Sequence, residues 1–198
     1  YKLFFFNNFY RLSIIFIYLL SLNDNLFVMK MFGEKSLSFY LFYIARVLSI
    51  VIGVLLLFII FSFITGNYNL NEGRFAINIP FLEVAIKGFY KFNIIATIST
   101  TLLLYTVFFY LLSLIFKTFK AKILFTEIAI KRLNIFALFN LIGTPFFFVI
   151  IHFVIMKHKT FRDLPTYILH LLLGVFILFI VAIFKRGYKV QSENDLTI

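Results

Sequence analysis

The chain has 198 residues, 63% of them hydrophobic and 14% charged, with mean hydropathy +1.03. A soluble domain is about half apolar and about a quarter charged, and a water-soluble fold of this size has too little interior to hide the difference. The formal charge of +11 would point to nucleic acid in a soluble protein, but these basic residues sit mostly in short stretches between apolar runs, where topology and anionic headgroups explain them and direct nucleic-acid binding is not expected.

Residues 1–28 differ in texture from the rest. They contain no Ala, Gly, Pro, Glu, Gln, Thr or His, and a new texture opens at Met29-Lys30-Met31. We read 1–28 as an upstream extension or N-terminal leader outside the core, with translation starting at Met29 or Met31. A signal peptide is the rival reading, with Arg11 ahead of the run Leu12 to Leu22. However, Ser21-Leu22-Asn23-Asp24 is a poor cleavage site, and the run is short for a span.

Residues 29–198 form the expected four-helix transmembrane domain. Four runs reach the roughly 20 apolar residues that a span requires, at about 40–64, 93–116, 134–156 and 166–184. Backbone groups in lipid must be satisfied within the segment, so these are helices. Their lack of strict alternation excludes an outer-membrane barrel. The expected fold class is all-α, a polytopic four-helix bundle.

The connection after the first run is too long for a bare turn. Asn67-Tyr68-Asn69-Leu70 and Arg74 to Ile79 flank Asn71-Glu72-Gly73, which predicts a small β-hairpin. Phe81 to Tyr90 reads as a short amphipathic helix leading back to the membrane. Between the second and third runs, Thr126 is positioned as an N-cap, and Glu127 can pair with Lys131 at i,i+4. This stretch is expected to lie at the interface before the third helix descends.

Basic residues set the orientation. Lys117, Lys120, Lys122, Lys131 and Arg132 lie between the second and third runs. Lys185, Arg186 and Lys189 follow the fourth, and Lys30 and Lys35 precede the first. Those three regions share one side of a four-helix scheme, which places both ends in the cytoplasm. The short connection with Lys157, Lys159 and Arg162 is also basic and opposes this assignment. Trp is absent, so any interfacial aromatic belt falls to Tyr residues such as Tyr40, Tyr43, Tyr68, Tyr90 and Tyr167.

Candidate chemistry is sparse. The absence of cysteine excludes disulfides, thiolate catalysis and Cys-ligated metals. No Asp or Glu falls inside any run, which counts against a carboxylate proton relay. Arg46 reads as an interfacial anchor. His152, His158 and His170 form the one constellation that could hold a metal or sense protons at the outer face. The bland alternative is that each imidazole bonds a neighbouring helix or a headgroup, and no HExxH or HxxxH spacing is present. Thr97, Ser99, Thr100, Thr101, Tyr105 and Thr106 allow close helix packing rather than a pore lining, and Gly143-Thr144-Pro145 marks a kink. No cofactor is expected, and no enzyme activity.

Two blocks carry a resemblance. The tail reads Phe184-Lys185-Arg186-Gly187-Tyr188-Lys189-Val190-Gln191, then Ser192-Glu193-Asn194-Asp195-Leu196-Thr197-Ile198. The inner connection reads Phe125-Thr126-Glu127 and then Lys131-Arg132-Leu133. Together they resemble the domain-of-unknown-function 2975 family (DUF2975) of small bacterial four-helix membrane proteins, over about Met31 to Ile198. The resemblance implies a multi-pass protein of the bacterial inner membrane with no assigned activity. It also implies a neighbouring cytoplasmic helix-turn-helix regulator as partner.

The expected function is sensory or regulatory, through the inner connection and the tail. Lys131, Arg132, Glu193 and Asp195 are the candidate docking residues. The lipid bilayer is the first partner, and a homo-oligomer is compatible with the sequence. The alternative is a small transporter or channel component built on the second and third helices.

Overall fold

The computed structural model describes residues 30–80, 84–157 and 164–195. The extension read at 1–28 lies outside them, as does His158. Among the described residues, four helices are long and apolar enough to cross a membrane: α1 (Leu37–Thr65), α2 (Phe92–Phe119), α3 (Glu127–Ile155) and α4 (Leu164–Asp195). A small three-stranded sheet joins α1 to α2. The chain is a multi-pass membrane protein, and its described residues form a four-helix bundle. Its helices expose many large apolar side chains, as at Leu57, Phe61, Leu169, Leu172 and Phe179, while polar ones such as Ser49, Ser113, Asn140 and Thr144 are buried beside the Leu, Ile and Phe of the interior. That arrangement suits a lipid solvent and not water.

Helix α1 starts on Ser36, whose Oγ accepts from the Phe39 N–H at 3.4 Å. It ends on Gly66, whose left-handed φ of 70° turns the chain back. Its inward residues are Ala45, Ser49, Leu56, Ile59 and Ser62. Their spacing of three, four or seven draws one stripe along the helix. Ser49 Oγ donates to the Thr106 carbonyl of α2 at 2.9 Å. The Thr106 hydroxyl itself turns back to the Leu102 carbonyl of its own helix at 2.8 Å.

The hairpin forms as expected. Strands β1 (Asn69–Asn71) and β2 (Arg74–Asn78) pair antiparallel around Glu72 and Gly73, both at positive φ, which is the geometry of a two-residue primed turn. The expected helix over Phe81–Tyr90 is incorrect. Residues 81–83 lie outside the described ones, and Ala85–Phe89 is a third strand, β3, paired to β2. Two features decide this. The free edge of β2 offers hydrogen bonds that a helix would leave unpaired. Gly88 faces Phe75 across the ladder, where a Cβ would stand 2.8 Å from the Phe75 ring. Phe75 and Ile77 are buried at 1% exposure against Ile59 and the adjoining ends of α1 and α2, so the sheet caps that end of the bundle.

The third run also differs from expectation. The helix begins at Glu127, ahead of the run expected from residue 134, and continues to Ile155. Thr126 caps it as expected, accepting from the Ala129 N–H at 3.1 Å. Two turns of α3 widen to π-helix, at Phe139–Gly143 and Ile150–Ile155. The first has a visible cause. Pro145 has no N–H for the carbonyl four residues back, and the Thr144 N–H reaches instead to Phe139 five residues back. The fourth helix extends past Phe184 to Asp195. Its 32 residues span about 48 Å, more than the roughly 30 Å of a bilayer core, so its last turns project beyond the membrane.

Candidate functional site

Two sites stand out, one at each level of α4. The first is the junction at the loop-bearing end. Phe125, which ends the α2–α3 connection, packs on the Phe184 ring at 5.1 Å and lies against Gly187. A Cβ on Gly187 would stand 2.6 Å from Phe125 Cδ1. The Tyr188 hydroxyl donates to Glu127 Oε1 at 3.2 Å. The two blocks quoted above, Phe125-Thr126-Glu127 and Phe184 to Tyr188, are therefore in direct contact. A side chain at position 187 is expected to destabilise this junction. Gly187→Leu should cost about 1–3 kcal/mol by overpacking and should speed tryptic cleavage at Lys189, read on a gel time course.

The candidate docking residues divide at this junction. The Arg132 guanidinium donates to Thr118 Oγ1 at 3.1 Å, which ties α3 to the end of α2. Lys131 is exposed on the other side. Glu193 pairs with Lys189 at 3.8 Å on the surface of α4, and Asp195 ends that helix. The expected Glu127–Lys131 pairing gives way to the bond from Tyr188. A cage around Lys120 was not legible in sequence: its ammonium lies 3.9 Å from the Phe42 ring centroid, 5.0 Å from Tyr43 and 5.3 Å from Phe39. Arg46 stacks over Tyr110 at 4.6 Å, so this cation is held by an aromatic face as well as by its interfacial position.

The second site is inside the bundle. His170 of α4 meets Asn140 of α3, with Nδ1 and Oδ1 2.8 Å apart. Asn140 is wholly buried, and its Nδ2 donates to the Phe136 carbonyl at 2.8 Å. The amide oxygen is thus the atom left for His170, so the imidazole donates from Nδ1 and a neutral ring keeps Nε2 as an acceptor. The Phe108 ring meets the imidazole edge-on at 5.3 Å. A small enclosed cavity of about 50 Å³ adjoins it, lined by Thr101, Tyr105, Thr144, Tyr167 and His170 among others. That is room for about one or two water molecules.

His152 and His170 have different neighbours. His152 is buried at 5% exposure between Phe148 and Phe153, with ring centroids 5.0 Å from each. His170 has Phe108 and Asn140 instead. Among the described residues no three His, Asp or Glu side chains are placed to hold a metal ion. His158 lies outside them. Asn140 was missed in the sequence, although a lone amide in the middle of a span was signal enough.

At the opposite end, Tyr68 and Tyr90 stack with centroids 5.4 Å apart and share a hydrogen bond of 2.9 Å. That bond, then desolvation and the neighbouring phenol, raises the Tyr68 pKa above its ordinary 10.0. The neutral form is the one favoured by folding. The contact is fully present below pH 10 and is lost as pH rises through the raised value. Ultraviolet titration should show a phenol ionising above pH 10, and Tyr90→Phe should return it to the ordinary value. No family model, no curated protein and no solved structure matches the chain.

Proposed function

We propose that this is a non-enzymatic regulatory protein of the bacterial inner membrane, with both ends in the cytoplasm. It acts through the α2–α3 connection and the projecting end of α4. The observation that carries this is the continuity of α4. One unbroken helix holds the His170–Asn140 contact inside the bundle and the Phe125–Gly187 junction beyond it. A change at the buried contact that rotates or shifts α4 would move the junction as well. The basic residues of the connection and tail support the orientation. The resemblance to the domain-of-unknown-function 2975 family supports a cytoplasmic helix-turn-helix protein as partner. Lys131, Glu193 and Asp195 are its proposed contacts, and Arg132 positions α3 through Thr118.

Co-purification tests this reading. The full chain should retain a cytoplasmic DNA-binding protein, and Gly187→Leu should lose it. Unchanged retention by a chain ending at Phe184 would overturn regulation through the tail. The small cavity beside His170 and the two π-helical turns of α3 favour a second reading, a small transporter or channel component. Solute flux into proteoliposomes above that of empty vesicles would support the second reading against the first.

A further inference from the structure

We propose that the groove between α3 and α4 at the loop-bearing end binds one anionic phospholipid. The groove has a volume of about 420 Å³. Lys131 of α3 and Lys185 of α4 flank it, both exposed. Neither makes an ion pair among the described residues, where the bridges are Lys122–Glu34 and Lys189–Glu193. The one acid at the groove, Glu127, takes its hydrogen bond from Tyr188 and not from a lysine. The groove therefore presents two ammonium groups from two different helices, neither in a direct ion pair, against the single carboxylate of Glu127, a net charge of +1.

Their level matters as much as their charge. Lys185 directly follows Phe184, the end of the apolar run of α4. Lys131 lies one turn before Ile135, on the loop side of the apolar part of α3. Both lysines thus sit where headgroups begin. On their membrane side the groove floor is apolar: Ile135 is 43% exposed and Leu138 is 52% exposed. A free phosphate would satisfy the ammonium groups and leave this floor unused. An acidic peptide would have to enter the bilayer to reach it. A phospholipid matches both parts, with its phosphate between the lysines and an acyl chain along Ile135 and Leu138. This site does not rest on the regulatory proposal, because it needs no protein partner.

Native mass spectrometry of the full chain in detergent micelles, titrated with phosphatidylglycerol or phosphatidylcholine, tests it. Phosphatidylglycerol should bind with the higher affinity. Lys131→Gln with Lys185→Gln should weaken it by about thirtyfold, as expected for two lysines at a lipid surface. Lys87→Gln with Lys91→Gln removes the same charge at the sheet-bearing end and should leave binding unchanged. Leu138→Gln keeps every charge and should also weaken binding, with helix content by circular dichroism confirming the fold of each variant. Equal affinity for phosphatidylcholine, or equal loss in the Lys87/Lys91 pair, would overturn the site. Full displacement by inorganic phosphate would overturn its assignment to a lipid.

Discussion

Asn140→Leu is expected to lower the thermal stability of the detergent-solubilised protein, and adding His170→Leu is expected to restore part of it. Asn140 is buried and supplies the acceptor for the His170 Nδ1–H at 2.8 Å. Leucine removes that acceptor and leaves an imidazole donor in an apolar bundle. Leaving a buried group unmatched costs about 1–3 kcal/mol. Interhelical hydrogen bonds inside membranes measure nearer 0.6 kcal/mol, with about 1.7 as the upper end. The lower figure governs if the ring turns toward the hydroxyl groups of the adjoining cavity. The double variant removes both partners, which is nearly neutral when shape is kept. A double-mutant cycle should therefore show coupling of about 0.5–2 kcal/mol. Strict additivity would mean that the 2.8 Å contact contributes nothing to holding α3 against α4.

Gly174→Val has the second large expected effect. A Cβ at 174 would stand 2.6 Å from Leu141 Cγ and 3.2 Å from the Ala137 carbonyl oxygen. The leucine can turn aside, but the carbonyl belongs to the helix backbone and cannot, so α4 must move away from α3. Overpacking of this kind costs about 1–3 kcal/mol, with a branched side chain toward the upper end. Gly53→Ala is the matched comparison, because its Cβ would meet Thr106 Cγ2 at an ordinary 3.4 Å. It should change stability by no more than about 0.5 kcal/mol. Equal melting temperatures for the two variants would show that the α3–α4 seam is looser than the structure has it.

The sequence and the structure agree where the physics is local. A span needs about 20 apolar residues, and each of the four runs has them, so the helix count was legible. The hairpin was legible too, because Gly73 suits a turn position that needs positive φ, although Glu72 before it also takes a positive φ that its side chain does not favour. Agreement fails where a helix leaves the bilayer. From Lys185 to Asp195 the apolar signal is gone, yet α4 continues, held by Phe125 on Gly187 and by Tyr188 on Glu127. Those contacts join residues far apart in the chain. The same holds for β3, whose strand state depends on the edge of β2 and on Phe75 filling the space over Gly88. Of the candidate site, the histidines were visible as residues but not as separate environments. Asn140 was visible and was passed over amid the hydrophobic run around it.

The most direct test of the architecture uses the absence of cysteine. Each single cysteine added to this chain is the only thiol, so labelling reports one position. Glu72→Cys lies in the hairpin turn, Lys122→Cys in the α2–α3 connection, and Ser192→Cys on the projecting end of α4. In intact cells, a membrane-impermeant maleimide should label position 72 and spare 122 and 192. All three should label after the membrane is permeabilised. Labelling of 72 and 122 from the same side would contradict the four-span bundle, and labelling of 122 and 192 alone would reverse its orientation.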